Sequence, residues 1–172
     1  MPITDTELHY RLSKVGGGAQ ADPNDSIGGA MSTTDIVTNV SQNLFQNVTG
    51  AQSLAGFIDY RGIYAYNDNT EALALIGTRL WIETQAAAPG DATAIALADE
   101  GLNVTIERLA NEETAPAIVT FSAPANYAAG LVMGDIPDEQ FFGFWVRRTI
   151  SPATSAYTDD TFELEFRGDT AE

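Results

Sequence analysis

The sequence predicts an all-β domain, an antiparallel β-sandwich or jelly roll of about eight strands with an extended N-terminal arm. Three observations carry that prediction. Thr161 to Arg167 alternates strictly, with Phe162, Leu164 and Phe166 on one side and Thr161, Glu163, Glu165 and Arg167 on the other. A strand sends successive side chains to opposite faces, so one face is buried and the other wet. Phe141 to Ile150 is the most apolar run of the chain, and its front half is apolar on both faces. Such a strand lies centrally and is covered on both sides. Short apolar runs punctuated by turn residues fill the chain from Phe57 onward, with no long helical periodicity and no fixed-period repeat.

Taken in order, residues 1–45 differ from the rest. Leu8, Tyr10 and Leu12 share one face of a short strand, but Gly16-Gly17-Gly18 and Asp22 to Gly29 are turn or flexible backbone. Thr33 to Val40 suits a short strand or one helical turn. The expectation is a glycine-rich arm over residues 1–45 and a sandwich body over residues 46–172. At roughly 3.3 Å per residue the arm reaches on the order of 130 Å, enough to touch neighbours. Folding back onto its own body is the alternative.

The body then runs through Phe57–Tyr66, Ala72–Ile76, a bend or bulge at Gly77, and Arg79–Glu83. Thr93–Ala98, Val104–Leu109, Ala117–Phe121 and Leu131–Pro137 follow, with Pro137 ending its strand for want of an amide hydrogen. Arg147 and Arg148 place a cation on each face as the Phe141 strand leaves the core.

Composition excludes several functions. The net charge is −16, from 24 acids and 8 bases, and Lys14 is the one lysine. Phosphate binding needs clustered Lys and Arg, so no nucleic acid is expected, and docking on anionic membrane is disfavoured. No stretch of 18 apolar residues marks a membrane helix, and the N-terminus carries no secretory signal. Cysteine is absent. His9 is the single histidine and has no nucleophile motif beside it, so no catalytic residue is expected. Zinc sites want several His or Cys ligands. Asp22 to Thr33 resembles a calcium loop only faintly, since Ile27 and Thr33 occupy the glycine and bidentate glutamate positions. Glu112-Glu113 and Asp159-Asp160 are weak calcium candidates, and Glu163 with Glu165 would serve a glycosidase only if a further acid stood opposite. No metal or cofactor is expected. Trp81 and Trp145 sit in apolar strands and suit core packing better than a sugar platform. Arg147 and Arg148 are the residues assigned to an interface, with Tyr10, Ile27 and Ile36 contributed by the arm.

Three stretches, Gly130 to Pro137, Phe144-Trp145-Val146-Arg147-Arg148-Thr149 and Asp160 to Ala171, resemble a family of tailed-bacteriophage virion structural proteins. The similarity extends more loosely to Tyr60-Arg61 and Leu80-Trp81-Ile82, about two-thirds of the chain, and includes no catalytic motif. The resemblance implies a particle component without enzymatic activity. A capsid decoration or cement protein on the outer capsid surface is the preferred role, with the major capsid protein and copies of itself, as a homotrimer, for partners. The alternatives are a carbohydrate- or receptor-binding fibre module and a neck or tail accessory protein.

Overall fold

The computed structural model describes residues 3–153 and 160–170. It is an all-β antiparallel sandwich of nine strands: β1 Leu8–Lys14, β2 Gly28–Asp35, β3 Phe57–Asn67, β4 Leu75–Thr84, β5 Asp91–Leu102, β6 Ile106–Arg108, β7 Leu131–Ile136, β8 Gln140–Ile150 and β9 Glu163–Thr170. One short helix, α1 Gly50–Ala55, precedes β3. A six-stranded sheet runs β5-β8-β3-β1-β2-β6 and faces a three-stranded sheet β7-β4-β9.

The sandwich is centred on β8. It pairs with β3 over eleven residues without a register shift, from Phe57↔Ile150 to Asn67↔Gln140. Phe144 and Val146 join Ile63, Ala65 and Ile95 between the two sheets, against Leu80, Ile82, Ile136 and Phe166. Trp145 points the other way, into a second cluster with Tyr60, Tyr64, Ile106 and Leu109. Both faces of the strand are therefore covered, as its two-sided apolar pattern requires. Burying Trp145 completely contributes roughly 4–6 kcal/mol at about 25 cal/mol per Å².

Two glycine–aromatic pairs make room for that second cluster. Gly62 stands opposite Trp145 and Gly143 opposite Tyr64. A Cβ on Gly143 would lie 2.2 Å from Ile106 Cγ2, and one on Gly62 would lie 2.8 Å from the Trp145 ring. Ile106, together with the Trp145 and Tyr64 rings, occupies the space that a side chain would need.

Two expectations are corrected. Residues 1–45 are not an extended arm. β1 lies between β3 and β2 inside the six-stranded sheet, and Leu12, Leu44 and Phe45 are core residues. Of the glycines that suggested flexibility, Gly28 and Gly29 serve close packing: a Cβ on Gly28 would fall 1.9 Å from the Glu107 carbonyl oxygen, and one on Gly29 would fall 2.9 Å from the Lys14 carbonyl oxygen. Ala117–Phe121 is not a strand. Ile118 adopts φ 58°, a left-handed conformation that breaks pairing, and only Ser122 bridges to Ile95. The segment lies over the second cluster, where Val119 and Phe121 pack. Other expectations match. Gly77 has φ 61° at a register shift in β4, and β7 stops before Pro137.

Candidate functional site

The strongest concentration of charge lies where β3 and β8 run side by side. Asp59 is in register with Arg148. Its carboxylate accepts two bonds from that guanidinium, Nε to Oδ1 at 3.1 Å and Nη2 to Oδ2 at 2.8 Å. Arg148 Nη1 donates to the Gln46 carbonyl at 2.9 Å, and the guanidinium lies 4.6 Å from the Phe45 ring centre. Two residues along β3, Arg61 is fully buried. It donates to the carbonyls of Leu44 (3.1 Å) and Tyr60 (2.9 Å), to Asn24 Oδ1 (3.1 Å) and to Glu112 Oε2 (2.6 Å). Burial pushes the Asp59 carboxyl up, and the adjacent Arg148 and Arg61 pull it down. The cluster ties the chain on either side of Phe45 and the loop at Glu112 to the β3–β8 pair. With Nε, Nη1 and Nη2 all engaged, Arg148 holds the body together.

Arg147, on the opposite face, is different. Its guanidinium stacks on Phe121 at 4.8 Å, and its Nε is buried without a hydrogen-bond partner. Tyr10 packs edge-on against Phe166 and Phe144, with ring centres 5.0 and 6.1 Å apart. Burial, then the Glu165 charge, pushes its phenol well above the ordinary range. Ile36 packs on the first core and its amide donates to the Tyr10 carbonyl at 2.7 Å. Ile27 packs on the second core and bridges to Gly62. The five residues assigned to an interface thus divide between the two faces of the large sheet instead of forming one patch.

The other candidates are placed as follows. His9 Nδ1 lies 3.1 Å from Asp35 Oδ2, and the same carboxylate accepts from Arg11 Nε at 2.9 Å. Asp22 caps a 3-10 turn by accepting from the Asn24 amide, which lowers its pKa, and Glu112 is taken by Arg61. Glu163 accepts from the Thr84 hydroxyl at 2.6 Å, and Glu165 stands opposite Trp81 in register. Trp145 is fully buried and Trp81 is 4 % exposed. Among the described residues no three His, Asp or Glu side chains converge on a metal position. Asp159 lies outside the described residues.

One pair escaped the sequence reading because its members are far apart in the chain. Asp160 Oδ1 accepts the amides of Ala87 and Ala88 at 2.8 and 2.9 Å. Beside it, Asp91 is pushed up from 3.8 to about 7, first by burial, then by the Asp160 hydrogen bond and charge, with Arg148 pulling down. The folded protein therefore holds a proton that the unfolded chain releases near pH 4, so stability falls as pH rises toward 7. Asp91→Asn should remove that slope and raise stability at neutral pH by about 1–2 kcal/mol after allowance for solvent screening. Urea midpoints measured across this range test it. A variant with the wild-type slope would refute the assignment.

The fold and these contacts define a β-sandwich whose conspicuous polar side chains hold strands and loops in place. No family model, no curated protein and no solved structure matches the chain.

Proposed function

We propose that this chain is a non-enzymatic structural component of a tailed-bacteriophage particle, a capsid decoration protein seated on the outer shell. The observation that carries the reading is what the reactive-looking side chains do. His9, Arg11, Arg61 and Arg148 are each bonded to carboxylates of their own chain. The resemblance of the Phe144 to Thr149 and Asp160 to Ala171 stretches to virion structural proteins supports the same class. A net charge of −16 suits a solvent-facing position on a shell and promotes solubility. A glycan-binding module needs an accessible aromatic platform, and the buried tryptophans do not favour one.

Copy number tests the reading. Quantitative mass spectrometry of purified virions should find this chain in numbers comparable to the major shell subunit. A handful of copies per particle would place it in the neck, tail or fibre instead, and absence from the particle would overturn the structural role.

A further inference from the structure

Ile118 stands at the tip of a loop that is fixed on both sides. Before it, Pro116 is buried and the Ala117 amide donates to Glu107 Oε1. After it, Val119 and Phe121 pack on the second cluster, and Ser122 exchanges backbone bonds with Ile95 at 2.8 and 2.9 Å. Between these anchors Ile118 is 88 % exposed at φ 58°. A branched Cβ crowds the backbone in that region, where asparagine or glycine fits with less strain. A single exposed isoleucine is commonplace, but one pinned in a disfavoured conformation with no packing to offset it is not.

Phe121 carries the second feature. The half-buried Arg147 stacks on its ring with Nε buried and unbonded, and among the described residues it forms no ion pair with a carboxylate. The chain has 24 acids and 8 bases, so an arginine left without an acid runs against the general surplus. Register places its neighbours. Tyr60 stands opposite Arg147 and Ile58 opposite Thr149, all four on one face of the sheet. Ile58 is exposed, and the Tyr60 ring meets Phe121 at 5.6 Å between centres. Ile118 lies three residues from Phe121, roughly 10 Å at most along the chain. Ile118, Phe121, Arg147 and Ile58 therefore border one apolar area with an unpaired cation in it.

We propose that this area docks on the major shell subunit of the particle, with Ile118 entering an apolar hollow and Arg147 receiving a carboxylate beside it. A guanidinium has donors only, so an acid is the group that satisfies it. The fixed loop presents Ile118 without an ordering cost at the moment of contact. A second copy of this chain is the poorer occupant, because it brings a further −16 against the first. The inference rests on the particle role for the identity of the partner and on these side chains for the contact.

Ile118→Asn and Arg147→Met, made in the whole chain, separate docking from folding. Each should keep or raise the urea midpoint. Asparagine tolerates the left-handed conformation, and methionine removes a desolvated charge that has no partner. Each should still weaken binding to shells purified without this chain by about tenfold or more, read by co-sedimentation. Arg147→Lys should regain only part of the loss, since an ammonium lacks the planar fork. A clearly lower midpoint for both variants would show that these residues serve the fold and would overturn the contact. Self-association of wild type that either substitution abolishes would assign the area to a second copy and overturn it too. Wild type that binds shells no better than these variants do, while all bind well, sinks this contact alone. Wild type that does not bind shells at all sinks the particle role, and this partner with it.

Discussion

Deleting residues 1–45 should leave a chain that does not fold. An appended arm would be dispensable to the body, but this segment is part of its interior. Its removal strips β1 and β2 from the six-stranded sheet and bares the β3 backbone from Leu12↔Ile63 to Leu8↔Asn67. It removes Leu12, Leu44 and Phe45 from the first core, each worth roughly 2–5 kcal/mol. It also takes away the Gly29 carbonyl that accepts the buried Tyr64 hydroxyl, and the Leu44 and Asn24 acceptors of Arg61. Those losses exceed the ~5–15 kcal/mol by which domains are stable. Far-ultraviolet circular dichroism and amide proton dispersion of the fragment 46–172 should show an unfolded or aggregated chain. A soluble fragment with a dispersed spectrum would contradict this account of the N-terminal strands.

Asp59→Ala should be the most costly single polar substitution, at about 3–5 kcal/mol. Asp59 is 2 % exposed and provides both acceptors of the Arg148 fork. Its removal leaves a guanidinium desolvated between two phenylalanine rings and removes the carboxylate 3.8 Å from Arg61 Nη2. The cost of breaking a buried pair from one side arises from the charge left behind, not from the attraction lost. Arg148→Met on the Asp59→Ala background should therefore recover part of the loss. Urea midpoints of the two singles and the double measure the coupling. A loss below about 1 kcal/mol for Asp59→Ala would show that water reaches Arg148 and that the cluster is less enclosed than described.

The sheet strands were legible where burial differs between faces. Thr161 to Arg167 alternates because one side meets the core, and β9 follows it. The double-faced apolar pattern of Phe141 to Val146 marks a strand covered twice, and β8 is that strand. Gly28 and Gly29 misled because glycine signals both flexibility and tight approach, and only the neighbouring backbones of Glu107 and Lys14 decide between them. Ile118 misled because β-branched residues favour strands, while here the residue is 88 % exposed in a left-handed turn. The charge cluster was half visible. Arg148 was singled out, but Asp59 and Arg61 lie nearly 90 residues away in the chain, and their presence in an otherwise apolar strand was the available signal. The Asp91–Asp160 pair left no local trace, because alternation describes one strand and not which loops meet.

In the role proposed above, this sandwich is a particle component whose work is contact. An electron cryo-microscopy map of the purified virion tests it most directly. A decoration protein should appear as nine-stranded density of this shape on the outer surface of the shell, repeated with the capsid lattice and touching the major capsid protein. Such density at the tail tip, or a virion map with no place for this chain, would contradict it.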